Sequence, residues 1–261
     1  MIYFIGAGPG AADLITVKGK ELLEKADLVI YAGSLVNPDL LKYCKPECVI
    51  MNSAEMTLEE VIAAMVPAAQ ADKLVVRLHT GDPSVYGAHR EQIDLLRSYN
   101  LPFKIVPGVS SFCAAAAALE AEYTLPNVSQ SVIITRMEGR TPVPSRQKIA
   151  DYAAHKATMV IFLSSGLLEK LQVELVKGGY KPDTPAAIVY KASWPDEKVC
   201  YCTVDTLAET AAKHGINKTA LITVGNFLGN VYDRSELYNP NFAHGFRAAD
   251  PSKLDVKPEV K

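Results

Sequence analysis

Short apolar runs alternate with helical patterns through the first hundred residues, and this alternation narrows the possible folds more than any other feature of the chain. Residues 2–5, 28–31, 74–78 and 103–106 are rich in Val, Ile, Leu, Phe and Tyr, while 16–25, 58–71 and 89–98 repeat their apolar positions at helical spacing. Strand, helix, strand is the rhythm of a parallel sheet with crossover helices. Most of the strand runs are apolar throughout, as expected where helices cover both faces. Pro107-Gly108 closes the last run, and an Ala-rich helix follows over 109–119.

A second series begins at 131–135 and continues through 159–164, a helix at 167–177, runs at 186–190 and 199–203, a helix at 204–214 and a run at 220–224. Strands outnumber helices here, which predicts a mixed sheet. The chain therefore reads as α/β, with two α/β domains whose first sheet is mostly parallel and second mixed. Its 261 residues suit two domains, with the boundary inside 107–122. The assignment is 1–112 for the N-terminal domain, 113–232 for the C-terminal domain and 233–261 for a polar, Pro- and Asn-containing tail, an extended arm or frayed end.

Lys and Arg number 27 against 29 Asp and Glu, and no long basic run occurs. The balance argues against a protein devoted to nucleic acid or to an anionic membrane surface. No apolar run approaches the roughly 20 residues that span a bilayer. The five cysteines are an odd number, and the first residues lack the basic and cleavage features of a signal peptide, so free thiols in a reducing cytoplasm are expected. Cys44/Cys48 and Cys200/Cys202 lack a nearby His, and His79 and His89 lack a third ligand in register; no metal site is expected.

Gly6-Ala7-Gly8-Pro9-Gly10 follows a strand and precedes a helix, but Pro9 removes an amide, position 11 is Ala and the second strand ends Tyr31-Ala32-Gly33 without the acid that takes a ribose. A tight turn close to a ligand or to a neighbouring loop fits better than a dinucleotide fingerprint. His79-Thr80-Gly81-Asp82-Pro83-Ser84-Val85-Tyr86-Gly87 places a carboxylate at the carboxyl end of a parallel strand, where open α/β sheets bind ligands. Asp82 equally suits an N-cap or Asx-turn. Gly108-Val109-Ser110-Ser111-Phe112 has Phe where a nucleophile elbow needs Gly, so its serines read as ligand donors. The loop over 135–148 carries Arg136, Arg140, Arg146 and Lys148 against Glu138, and arginine forks of this kind suit a ligand with several carboxylates.

Taken together, Ile5 to Gly10, Leu14-Ile15-Thr16-Val17-Lys18-Gly19, Ala26 to Tyr31, Val75 to Pro83 and Val106 to Ser111 resemble the tetrapyrrole methylases over residues 1 to 228. Tyr31 to Val36, His79 to Gly87, Glu138 to Pro144 and Val189 to Glu197 are similar to the branch that methylates C11 of precorrin-4, with or without cobalt. The resemblance implies a homodimer, S-adenosylmethionine in a cleft between two α/β domains, and a small tetrapyrrole substrate. Cofactor contacts would come from Pro9, Gly81, Asp82, Val85, Tyr86, Ser110, Ser111, Leu163 and Ala192. Arg136, Arg140 and Lys191 would meet the substrate's acetate and propionate groups, with no catalytic residue established beyond an orienting role for Asp82. The alternatives are another methylase of the fold, acting on a different precorrin carbon or of the diphthine synthase or ribosomal RNA type, and a nicotinamide-dependent oxidoreductase.

Overall fold

The computed structural model describes residues 1–253 and divides the chain into two compact units. One unit comprises 1–115 together with 191–197; the other comprises 116–190 and the chain from 198 onward. Positions 254–261, the end of the sequence's polar tail, lie outside the described residues.

The first unit is built on five parallel strands in the order β3-β2-β4-β1-β5. They are β1 (Ile2–Gly6), β2 (Leu28–Tyr31), β3 (Val49–Asn52), β4 (Val75–His79) and β5 (Phe103–Val106). Every pairing is parallel, so the sheet goes further than the mostly parallel one expected. The unforeseen strand is β3. It lies at the sheet's edge with Val49 and Ile50 exposed, and so lacks the doubly buried character of the inner strands β1, β2 and β4.

Three helices cross over this sheet: α1 (Val17–Lys25), α2 (Leu58–Gln70) and α3 (Arg90–Ser98). Thr57 and Glu60 form a reciprocal capping box at the start of α2, worth about 1 kcal/mol. Side chains alternate across β4. Val76 and Leu78 join Ile5, Leu23 and Val29 in one apolar layer. Val75 joins Ile2, Phe4, Met65 and Leu96 in the other. Arg77 and His79 have the parity of Val75, so a cation and an imidazole point toward the layer that α2 and α3 cover. The helix α4 (Ser111–Ala118) follows β5.

The second unit contains β6 (Val132–Arg136), β7 (Thr158–Phe162), β8 (Pro185–Tyr190), β9 (Lys198–Thr203) and β10 (Ala220–Val224), in the order β6-β7-β10-β8-β9. Only β6 and β7 pair in parallel; the remaining pairs are antiparallel, giving the mixed sheet expected. Three helices, α5 (Ile149–Ala153), α6 (Leu168–Lys177) and α7 (Leu207–His214), pack onto a core that includes Met159, Leu171, Ile188 and Ile222. One helical turn, α5, has too few residues to show a period in the sequence. Beyond β10, residues 231–253 are turns, loops and one short 3-10 helix (Glu236–Tyr238), tied by the Arg247 guanidinium to the carbonyls of Leu237 and Asn239 and by the Asp250 amide to Pro240.

Candidate functional site

Three loops leave the carboxyl ends of β1, β4 and β5, and they lie backbone against backbone. Gly8 and Gly81 form an isolated antiparallel bridge, with Gly81 N donating to Gly8 O at 2.9 Å and Gly8 N to Gly81 O at 3.2 Å. Ala7 N donates to His79 O at 2.7 Å. A Cβ on Gly6 would stand 2.5 Å from Gly108 Cα and 2.5 Å from Gly81 O, so only glycine permits this approach. At Gly81 a Cβ would meet nothing nearer than Ser110 Cα at 3.5 Å; there the requirement is φ of +59°. Gly6, Gly81 and Gly108 thus build a ledge made largely of main chain.

Asp82 locks this ledge. Its Oδ2 accepts the Gly108 amide at 2.7 Å, and its Oδ1 accepts the Ser84 amide at 2.8 Å and the Ser84 hydroxyl. Partial burial opposes ionisation, but the Ser84 hydroxyl and the Gly108 and Ser84 amides outweigh it and hold the carboxyl below its ordinary value. Of the roles the sequence left open, the structure supplies the Asx-turn and adds a tie to the loop after β5. Asp82 is no N-cap, because α3 begins only at Arg90.

The turn after β1 is fixed from far along the chain. Ser193 Oγ accepts the Ala11 amide at 3.0 Å, and Trp194 Nε1 donates to Pro9 O at 3.2 Å. A Cβ on Gly10 would overlap the Trp194 ring. Asn37 adds a bond to Gly10 O at 2.9 Å. Neither Ser193 nor Trp194 was foreseen as a partner of this turn, since their own segment carries no signal of what they touch.

The proposed contact residues occupy distinct settings. Pro9, Ser110 and Ala192 are buried; Val85 and Ser111 are partly buried. Tyr86 and Leu163 stand out to solvent at φ of +55° and +52°. A left-handed backbone costs a residue with a side chain roughly 1–2 kcal/mol, and such strain concentrates at ligand clamps. Leu163 follows β7 and precedes Ser164, whose buried hydroxyl accepts the Met137 amide at 2.8 Å and donates to Phe162 O at 2.7 Å.

The basic loop is less open than its composition suggests. Arg136 donates to the carbonyls of Pro142 at 2.7 Å, Thr141 at 3.2 Å and Met137 at 3.4 Å, so its guanidinium staples the loop it belongs to. Arg140 is exposed. Lys191 pairs with Asp196 at 2.6 Å and lies over the Trp194 ring.

Beside the ledge, Arg77 and His79 line a cavity of about 290 Å³ together with Ser34, Ser53, Thr57 and Gln92. Burial, with the positive charge of Arg77 nearby, pushes the His79 imidazole down to about 3 and keeps it neutral. Burial likewise lowers Arg77, to about 10.

Residues 1–208 match the family model of the Tetrapyrrole (Corrin/Porphyrin) Methylases. The chain is 54% identical to the cobalt-precorrin-4 C(11)-methyltransferase of Methanocaldococcus jannaschii over 247 residues, which cover 94% of this chain and 95% of that protein. The X-ray structure of a cobalamin biosynthetic enzyme, cobalt precorrin-4 methyltransferase, superimposes with a TM-score of 0.86 at 50% identity, covering 88% of this chain and 96% of the other. The uroporphyrin-III C-methyl transferase of Thermus thermophilus, complexed with S-adenyl homocysteine, gives a TM-score of 0.73 at 27% identity, with 87% and 93% covered. A parallel sheet ending in a glycine-walled ledge, a mixed second sheet and these matches agree: the chain belongs to the tetrapyrrole methylase family.

Proposed function

We propose that this protein transfers a methyl group from S-adenosylmethionine to C11 of cobalt-precorrin-4, giving cobalt-precorrin-5. The observation that carries the reading is the main-chain ledge of Gly6, Gly81 and Gly108 at the carboxyl ends of parallel strands, in a chain half identical to cobalt-precorrin-4 methyltransferases. Family membership removes the ground for a nicotinamide oxidoreductase. The Methanocaldococcus relative favours C11 over other positions, and both relatives favour a tetrapyrrole over a macromolecular substrate.

The residues present fit such a cofactor. Backbone groups line the ledge, and Tyr86 and Leu163 hold apolar side chains out in strained backbone. Pro9, Gly81, Asp82, Val85, Tyr86, Ser110 and Ser111 would hold it, with Ala192 on the 191–197 segment that belongs to the same unit; Leu163 is the remaining proposed contact. Bound S-adenosylmethionine supplies an already activated methyl group, so the protein need furnish no nucleophile. What the chain contributes is position and exclusion of water. Asp82 acts as a positioning residue, because its carboxylate is committed to Gly108 and Ser84. Arg140 and Lys191 would engage substrate carboxylates, and Arg136 would act through the loop it staples. A cytoplasmic homodimer completes the reading, and light scattering of the purified protein tests the dimer.

The deciding experiment incubates the protein with isotopically labelled S-adenosylmethionine and cobalt-precorrin-4 or its metal-free form, then locates the new methyl by NMR. Label at C11, with the cobalt form turned over faster, is expected. Label at another carbon, or none, overturns the assignment. Arg136→Ala and Arg140→Ala together should raise the KM for the tetrapyrrole about tenfold, the loss of roughly one charge-assisted hydrogen bond, while the KM for the cofactor stays within twofold. Unchanged kinetics would remove both arginines from substrate binding.

A further inference from the structure

The layer between the first sheet and α2 and α3 is apolar except at the carboxyl end of β4, where Arg77 and His79 are 6% and 3% exposed. Arg77 donates through Nε to Gln92 Oε1 at 3.1 Å and through Nη1 to Ile30 O at 3.0 Å. None of its hydrogen bonds uses Nη2, and no carboxylate pairs with it among the described residues. A buried cation met only by neutral acceptors is costly to keep. His79 Nε2 is buried without any hydrogen-bond partner. Native proteins leave few such groups unpaired. Both side chains line the same cavity, whose wall also includes Ser34, Ser53, Glu91 and the Thr57 end of α2, where the helix dipole favours negative charge.

We infer that this cavity receives one carboxylate arm of the tetrapyrrole, with Arg77 Nη2 donating to one carboxylate oxygen and His79 Nε2 sharing a solvent-derived proton with the other. The inference rests on the tetrapyrrole reading above and adds to it a specific subsite. The balance is simple: the arm arrives ionised, the buffer acid gives up one proton to the imidazole–carboxylate pair and is left as its conjugate base, and no other bond forms or breaks. The ionisable groups facing the ring are Arg77 on β4, His89 ahead of α3 and Glu91 on α3; the α2 wall offers Thr57, Leu58 and Val61, none ionisable. Burial is the main cause that keeps His79 neutral, and the Arg77 charge adds to it; the arm brings a negative charge against both side chains, which offsets Arg77 and favours a shared proton.

The test uses the full chain and a fluorescent octacarboxylate porphyrin, with its octamethyl ester as the uncharged counterpart. The acid is expected to bind at least tenfold more tightly than the ester, and calorimetry in buffers of different ionisation enthalpy should show uptake of about one proton at pH 7.5. His79→Asn keeps a polar group at the Nδ1 position and deletes the Nε2 position; His79→Gln does the reverse. The Asn variant should bind the acid at least tenfold more weakly without proton uptake, and the Gln variant should stay within threefold of the parent. Ser34→Asp, an exposed change at the rim, should weaken binding about fivefold through charge alone. S-adenosylhomocysteine affinity should be unchanged throughout. If the acid binds the parent but equally well to H79N and S34D, or if the ester binds as tightly, the subsite is wrong while the tetrapyrrole reading stands. If neither porphyrin binds the parent, both fall together.

Discussion

Replacing Gly6 by alanine is expected to unfold the first unit at a temperature well below that of the parent. The added Cβ would sit 2.5 Å from Gly108 Cα, 2.5 Å from Gly81 O and 2.6 Å from Gly108 N, and all three are main-chain atoms that no rotamer change can move. Overpacking a well-filled interior costs typically 1–3 kcal/mol, and immovable backbone on two sides puts this case at about 3 kcal/mol or more. For a chain of this length that corresponds to a drop of roughly 6–12 °C in the melting transition, readable by circular dichroism. Gly215→Ala is the control. That residue has φ of +67° and nothing within 4 Å of a new Cβ, so only the left-handed penalty of about 1 kcal/mol applies. Equal losses in the two variants would show that the loops can separate, and that the ledge is not closely fitted.

Asp82→Ala should produce the second large effect, and it should fall on cofactor affinity and on stability together. Without the carboxylate, the Gly108 amide loses its acceptor and the Ser84 turn loses its anchor. Leaving a partly buried donor unpaired costs about 2 kcal/mol. Because the ledge then has no tie between the loops after β4 and β5, S-adenosylhomocysteine should bind at least tenfold more weakly by calorimetry. The pH dependence has a definite sign. A carboxyl whose folded value is depressed contributes stability above the unfolded value of about 3.9 and loses it as pH falls through the lower folded value. The difference between parent and variant should therefore be full near neutrality and shrink only below about pH 4. Intact affinity with lowered stability would return Asp82 to a turn residue.

The sheet order was not written in the chain, but the kind of sheet was. Runs such as 74–78 and 220–224 are apolar enough to announce buried strands, whereas β3 presents Val49 and Ile50 to solvent and carries no such mark. At the site, the glycines and the acid after strand ends marked the loops that build the ledge, while leaving open whether Asp82 meets a ligand or closes a turn. It could not show which oxygen of Asp82 takes the Gly108 amide, since the partners are 26 residues apart. Arg136 illustrates the limit in the other direction. Charge and loop context point to an external carboxylate, and only the fold reveals that neighbouring carbonyls already occupy its donors. His79 was judged as a metal ligand and set aside; its buried, unpartnered nitrogen is a property of three dimensions.

The seven residues from 191 to 197 belong with the first unit although they are made long after it. During synthesis, the turn at Pro9 to Ala11 must wait for more than 180 further residues before the Ser193 hydroxyl and the Trp194 indole can reach it. A nascent chain carrying the complete first sheet thus still has an unfinished entrance turn, with the Ala11 amide and the Pro9 carbonyl left to water. The turn is closed only once most of the other sheet's strands have also been translated, which couples late translation to the last step in shaping the ledge.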